Sequence, residues 1–239
     1  MQKDIEYLKK YYDGDITSGI KRLEQGEPVQ YIVGNVDFYG YKINVDKRVL
    51  IPRFETEELV ENTINYIKKY FSLPVDILEV GTGSGCISIA LKKELENANI
   101  TASDISRDAL EVAKLNAKEN NVDITFVNTD IYKGITKKFD CIISNPPYIS
   151  KSEKIMDIVY NNEPHLALYA ENDGLYFYEE ILKNAKNILK DKYLICFEIG
   201  STQGEQIKKI SNKYLNDAKV IIKKDLEKRD RMIFIYNFE

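Results

Sequence analysis

The sequence is poor in histidine and cysteine, two residue types that often carry metal binding and catalysis. There is one histidine, His165, and there are three cysteines, Cys86, Cys141 and Cys196, in 239 residues. The cysteines lie far apart inside apolar segments, and their spacing makes no zinc site. Each reads as a small buried hydrophobe suited to a reducing cytoplasm, and no metal is expected. His165 reads as a helix-end or loop residue rather than a base. No apolar run approaches the ~20 residues of a membrane span. The N-terminus, Met1 to Glu6, is mixed in charge and lacks the apolar stretch of a signal peptide. No excess of positive charge is present either: 34 Lys and Arg stand against 38 Asp and Glu, and the formal net charge of −4 with a pI of about 5.4 argues against a protein built to coat nucleic acid. What remains is 44% hydrophobic and 30% charged residues, the balance of one α/β domain with a small appendage.

Up to Gln25 the pattern predicts one or two short polar helices broken at Gly14 and Gly19, then a turn at Gly26-Glu27-Pro28. From Asn35 to Ile51 the apolar period becomes two, with Val36, Phe38, Tyr41, Ile43 and Val45 around the turn residue Gly40, which predicts a β-hairpin. Thr56 is the expected N-cap of a helix whose stripe is Leu59, Val60, Thr63, Ile64 and Ile67, ending before Pro74. After Pro74 seven short apolar runs (75–80, 100–103, 124–127, 141–144, 193–199, 220–222 and 232–236) alternate with helical patterns. The helical patterns fall at 87–95, 109–120, 175–189 and 205–215. Crossover connections of this kind build a mostly parallel sheet. The link from Asp225 to Arg231 is too short for a crossover, so the last strand is expected antiparallel. Its basic residues, Lys223, Lys224, Lys228, Arg229 and Arg231, are interrupted by acids and read as a solvated hairpin. There is no internal repeat and no low-complexity linker. The expected division is 1–34, a short helical segment; 35–74, the hairpin and linking helix; and 75–239, the catalytic sheet domain.

Leu78-Glu79-Val80-Gly81-Thr82-Gly83-Ser84-Gly85 runs from a buried strand into a helix, where glycines let backbone N–H groups come close to a ligand. The third glycine of a dinucleotide fingerprint would fall at position 86, which is Cys86, and no lysine followed by Ser or Thr closes a P-loop. Asp104 ends the second strand, where an acid accepts from ribose hydroxyls, and Asp130 follows the third. Each reads otherwise as a turn aspartate, but glycine loop and two acids form a row at one sheet edge. That row resembles the S-adenosylmethionine pocket of the seven-stranded, Rossmann-like class I methyltransferases.

Asn145-Pro146-Pro147-Tyr148 follows the fourth strand. Two prolines remove two donors and stiffen the loop, so its carbonyls stand as free acceptors. With the Asn145 side-chain oxygen they can grip both hydrogens of one –NH₂ group. A planar amide or aromatic amine is a poor nucleophile, and holding both N–H bonds aims its lone pair at an electrophilic methyl. Tyr148 offers a flat wall. No side-chain base is required, because the nitrogen becomes strongly acidic once methylated. These residues point to nitrogen methylation without separating glutamine from adenine, cytosine or guanine.

Several segments together resemble the peptide-chain release factor glutamine methyltransferases. They are Gly26 to Gly34, Phe38, Leu50-Ile51-Pro52-Arg53 with Thr56-Glu57, and Asn145 to Tyr148. Further along come Glu163-Pro164 with Ala167-Leu168, Asp173-Gly174, Glu198-Ile199-Gly200, Gln203-Gly204, and Asp225 through Arg231. The resemblance implies methyl transfer from S-adenosylmethionine to the glutamine of the Gly-Gly-Gln loop of bacterial class 1 release factors, modulating translation termination in the cytoplasm. Asn145, Pro146 and Tyr148 would be catalytic, and Asn145 to Tyr148 with Arg53 would bind substrate. Gly81 to Gly85, Asp104, Asp130, Ile131 and Asn145 would line the cofactor site. Two departures stand out: relatives usually carry a larger helical N-terminal domain, and the position of Ile131 is often aromatic or bulkier. Arg53 and Glu198 read equally as members of structural ion pairs. Open alternatives are a ribosomal-protein glutamine, an amino group of a DNA or RNA base, and a non-catalytic module that keeps the cofactor fold. The hairpin is expected to fold over the catalytic end as a substrate wall.

Overall fold

Two helices open the chain, α1 (Gln2–Tyr11) and α2 (Ile16–Glu24), and the computed structural model describes every residue from 1 to 239. Asp15 caps α2, its carboxylate accepting from the N–H groups of Thr17 at 3.3 Å and Ser18 at 2.9 Å. Gly19 is not a break. It lies inside α2, where an added Cβ would come within 2.9 Å of Leu8 Cδ2, so its missing side chain lets two helices pack closely. A further short helix, α3 (Val29–Val33), follows Pro28 and stops at Gly34, whose φ of 84° forms a left-handed cap. Leu8, Leu23, Val29 and Ile32 bury one another in a small cluster of their own.

The remaining elements are β1 (Asn35–Phe38), β2 (Tyr41–Asn44), α4 (Phe54–Tyr70), β3 (Asp76–Val80), α5 (Cys86–Glu94), β4 (Asn99–Asp104), α6 (Arg107–Glu119), β5 (Thr125–Asn128) and β6 (Phe139–Ser144). Then come β7 (Ile149–Ser150), α7 (Asp157–Asn162), β8 (Tyr169–Ala170), α8 (Tyr176–Lys183), β9 (Leu189–Glu198), α9 (Gly204–Tyr214), β10 (Lys219–Lys224) and β11 (Asp230–Tyr236). Seven strands form one sheet in the order β10-β11-β9-β6-β3-β4-β5. All neighbours are parallel except β11, which runs antiparallel to β10 and β9, as the short Asp225–Arg231 link requires. This is the class I methyltransferase sheet. One face is covered by α4, α5 and α6 and the other by α8 and α9, giving two cores divided by the sheet. No helix is long and apolar enough to cross a membrane.

The structure differs from the sequence expectation in several places. The hairpin ends at Asn44, because Tyr39 and Gly40 at φ 54° and 80° give a tight two-residue turn and short strands. Val45, Val49 and Ile51 continue the apolar period only because an irregular segment buries them in the main core. The strands also do not wall the catalytic end: Asn44 donates twice to Asn116 Oδ1 at 2.8 Å and Tyr41 donates to Glu94 at 2.9 Å, so the hairpin rests on α6 and α5. Thr56 is not an N-cap. Arg53 occupies that position without a side-chain capping bond, and Thr56 sits in the first turn, 2% exposed, with its hydroxyl used elsewhere. The helix expected over 175–189 is α8 followed by a 3₁₀ turn, Ala185–Asn187, divided at Asn184, a residue type that competes with helical bonding. The small parallel pair β7 and β8 has no counterpart in the sequence reading.

Candidate active site

The strand order reverses between β3 and β6, which are neighbours although β4 and β5 lie between them in the chain. At such a switch point the loops leaving the two carboxyl ends part and open a crevice. The loop after β3 is Gly81–Gly85 and the loop after β6 is Asn145–Tyr148. Two chambers occupy the crevice, of about 400 and 370 Å³, both within the ~300–1,000 Å³ usual for small-ligand sites. Leu50, Arg53, Asn145, Pro146 and Ala167 line both, so the chambers meet at Asn145-Pro146.

The first chamber gathers Gly81, Thr82, Gly83, Ser84, Asp104, Asp130, Ile131, Asn145, Pro146 and Pro147. Gly85 lies behind the loop, where its Cβ would meet Ala113 at 3.1 Å, so it serves helix packing. Gly81 and Gly83 have φ of 74° and 54°, and a Cβ on either would meet nothing within 4 Å. That open backbone lets a ligand approach closely. The loop's amides are mostly committed within the chain: those of Gly81 and Thr82 donate to the Ser103 carbonyl, and that of Gly83 donates to Asp104 Oδ2 at 2.8 Å. Asp104 Oδ1 accepts from the Ser106 N–H at 2.8 Å, and burial raises the Asp104 pKa despite these bonds. Each carboxylate oxygen retains a lone pair for a hydroxyl donor. Asp130 is exposed. Ile131 holds φ 56°, costly for a β-branched residue, and Ser103 Oγ donates to its carbonyl at 2.6 Å.

Glu79 stands under the glycine loop, 1% exposed. Its Oε2 accepts from Thr82 Oγ1 at 2.7 Å, from the Ser88 N–H at 3.1 Å and from the Ser88 hydroxyl, whereas Oε1 is buried with no partner. An orphaned carboxylate oxygen beside a chamber of this size fits the ammonium end of S-adenosylmethionine, as Asp104 fits its ribose.

At the junction Asn145 Nδ2 donates to Thr56 Oγ1 at 3.1 Å, and no group of the chain donates to Asn145 Oδ1 or to the Pro146 carbonyl. The Tyr148 carbonyl accepts from Gln203 Nε2 at 3.0 Å, and a Cβ at Gly174, whose φ is 83°, would fall 2.1 Å from that same carbonyl. Gln203 and Gly174 therefore hold the loop from behind. Tyr148 faces only the second chamber, and burial pushes its hydroxyl up to about 12. Arg53 pairs with Glu163 at 2.6 Å, and the other Glu163 oxygen accepts from the Ile51 N–H at 3.1 Å. This ties the segment after the hairpin to the segment after α7, so the wall expected of the hairpin is built by Leu50–Arg53 instead. His165 opens a 3₁₀ turn, with Nε2 against the Tyr160 carbonyl. Arg231 pairs with Asp225 at 3.2 Å, both side chains largely covered, so the last hairpin is only partly solvated.

Glu198 is 2% exposed and accepts from Thr56 Oγ1 at 2.6 Å. Burial pushes it and Glu79 up to about 7, opposed by hydroxyl donors and, for Glu198, by Arg231. The folded chain thus binds more protons than the unfolded chain between the ordinary glutamate value and about pH 7, and the slope of stability with pH is negative there. Unfolding free energy should fall from pH 5 to pH 8 by a few kcal/mol, at about 1.4 kcal/mol per unit separating folded and unfolded pKa. Urea titrations across that range check this, with Glu198→Gln expected to flatten the slope; stability rising with pH would contradict it.

Of the residues that the sequence points to, Gly81 to Ser84, Asp104 and Asn145–Tyr148 come to this crevice, and Gly85 does not. Sequence alone assigns no role to Glu163, Gln203 or Gly174, and it makes Thr56 an N-cap, which the structure corrects. The signal was present, since each falls in a segment quoted for the family resemblance.

The Methyltransferase small domain family matches residues 63–167. The chain is similar to a release factor glutamine methyltransferase of Lactococcus lactis, 45% identical over 222 residues that span 92% of this chain and 81% of that protein. It is likewise similar to one of Streptococcus pneumoniae, at 42% identity over 90% of this chain and 77% of that protein. Among solved structures it resembles the protein-(glutamine-N5) methyltransferase (release factor-specific) of Alicyclobacillus acidocaldarius. The TM-score is 0.51 and the identity 25%, across 79% of this chain and 95% of that one.

Proposed function

This chain belongs to the family of release factor glutamine methyltransferases, N-methyltransferases acting on protein glutamine, and from that premise we propose how its two chambers divide the work. The first holds S-adenosylmethionine and the second takes the glutamine side chain of the Gly-Gly-Gln loop of a class 1 release factor. The observation that carries the reading is the junction: a fixed Asn145 carboxamide and a Pro146 carbonyl, with two unused acceptors, stand where the chambers meet. S-adenosylmethionine supplies a methyl on a sulfonium sulfur, which an incoming nitrogen lone pair can take.

The chain's own part is to bind, orient and exclude water. Asn145 Oδ1 and the Pro146 carbonyl accept the two amide hydrogens, turning the lone pair towards the first chamber. Those bonds strengthen as the nitrogen loses planarity, which favours the transition state over the bound substrate. Tyr148 and Leu50 flank the side chain, and near-attack placement supplies a large share of the acceleration, up to roughly 7–11 kcal/mol in favourable cases. Asp104 takes the ribose hydroxyls, Glu79 the ammonium, Gly81 and Gly83 leave the cofactor room, and Ile131 and Asp130 edge its base. The nitrogen sheds its extra proton to water, so no side-chain base takes part. Residues 75–239 carry the transfer, 35–74 complete both chambers, and 1–34 form a short helical segment joined to the main core through Tyr31. Three buried free cysteines suit work in the cytoplasm.

The test combines ligand binding and labelling. S-adenosylhomocysteine should stabilise the protein by about 2.7 kcal/mol at 100 times its dissociation constant, and NADH should not. With labelled S-adenosylmethionine and a bacterial extract, the labelled species should be a release factor. Label entering only nucleic acid, or stabilisation by NADH alone, would refute the reading.

A further inference from the structure

Three side chains from distant parts of the chain meet behind the junction. Asn145 Nδ2 donates to Thr56 Oγ1 at 3.1 Å, and Thr56 Oγ1 donates to Glu198 Oε2 at 2.6 Å. Thr56 and Glu198 are each 2% exposed, on the first turn of α4 and at the last residue of β9. The Glu198 carbonyl is itself fixed, accepting from the Tyr178 hydroxyl at 2.8 Å.

A threonine hydroxyl has one hydrogen to give. Glu198 Oε2 takes it when that carboxyl is ionised or carries its proton on the other oxygen, and the orientation argued next belongs to those two states, because a proton on Oε2 itself would be given to Thr56. Towards Asn145 the hydroxyl then presents only lone pairs, which accept an N–H and repel a carbonyl oxygen. The two ends of a carboxamide are alike in shape and opposite in polarity, so this arrangement selects one of the two amide orientations. We infer that Thr56 and Glu198 are positioning residues for methyl transfer, locking the Asn145 carboxamide with its nitrogen inward and its oxygen towards the acceptor –NH₂. A flipped amide would set its own N–H groups against those of the substrate. The inference rests on the reading of Asn145 as a grip on that group.

A double-mutant cycle tests it. Thr56→Val keeps the shape and removes the hydroxyl; turnover should fall on the order of 10- to 100-fold, the scale of a misplaced reacting group. KM for the release factor and cofactor affinity should stay within about two-fold, and Thr56→Ser should restore turnover to within a few-fold. In an Asn145→Ala background Thr56→Val should cost nothing further, since no amide remains to orient. Thr56→Ala substitutes in the cycle if the valine disturbs the start of α4. The lock can also be read without turnover. In ¹⁵N-labelled protein the Asn145 side-chain NH₂ signals, identified by their loss in Asn145→Asp, should exchange with water faster in Thr56→Val. Full turnover by Thr56→Val, equal cost in both backgrounds, or unchanged NH₂ exchange would each overturn the inference. A wild-type protein that labels no release factor would instead refute the substrate assignment, and the exchange measurement would still decide the lock.

Discussion

Asn145→Ala is expected to leave cofactor binding nearly intact while single-turnover methyl transfer falls on the order of 100-fold or more. The loss follows from the junction geometry, where Asn145 Oδ1 is one of two acceptors for the amide hydrogens and Pro146 alone cannot fix the lone pair. Asn145→Asp should be comparably damaging although it is nearly isosteric and keeps an acceptor. A carboxylate has no N–H to give Thr56, so the bond at 3.1 Å becomes a meeting of oxygens that compete with Glu198 for one proton. The added negative charge also attracts the sulfonium before transfer more than during it, which deepens the ground state. Cofactor titration and a single-turnover time course separate the two effects. Near wild-type transfer by Asn145→Ala would remove the loop from the mechanism.

Asp104→Ala should act on the other chamber, raising the cofactor dissociation constant on the order of 100-fold or more. Hydrogen bonds to a charged group contribute roughly 1.5–3 kcal/mol each, and two ribose hydroxyls depend on this carboxylate. The same substitution frees the Gly83 N–H, held at 2.8 Å by Asp104 Oδ2, and so loosens the glycine loop as well. Asp130 lies exposed at the rim with no side-chain bond to the chain, so Asp130→Ala should cost less than about tenfold. Calorimetric titration with S-adenosylhomocysteine measures both. Equal losses would contradict this division of roles.

The sheet was legible because its central strands are buried on both faces and its strands read as short apolar runs between helical patterns. The site was legible where function sits in contiguous segments: Gly81–Gly85 and Asn145–Tyr148 each follow a strand, and the strand order alone brings their ends together. Partnerships across the chain were not legible. Thr56 fits the composition of an N-cap, and only the tertiary fold spends its hydroxyl on Glu198. Period two ran past Asn44 because Val45, Val49 and Ile51 are buried by packing rather than by pairing, and a periodic pattern reports burial alone. Gly19 and Gly174 show the same limit. A glycine marks a break or turn in sequence, yet Gly19 lies inside a helix packed on Leu8, and Gly174, though in a turn, is also required by the closeness of the Tyr148 carbonyl. The left-handed φ of Ile131 runs against its residue type, and only the Ser103 hydroxyl reveals how it is held.

Mass spectrometry of a release factor treated with the protein and S-adenosylmethionine tests the central claim most directly. One added methyl is expected, located by fragmentation on the side-chain nitrogen of the Gly-Gly-Gln glutamine. None is expected on a Gln→Ala release factor, and with Asn145→Ala in place of the wild-type protein the methyl should appear on the order of 100-fold or more slowly. A methyl on any other residue, or one that survives both substitutions, would contradict it.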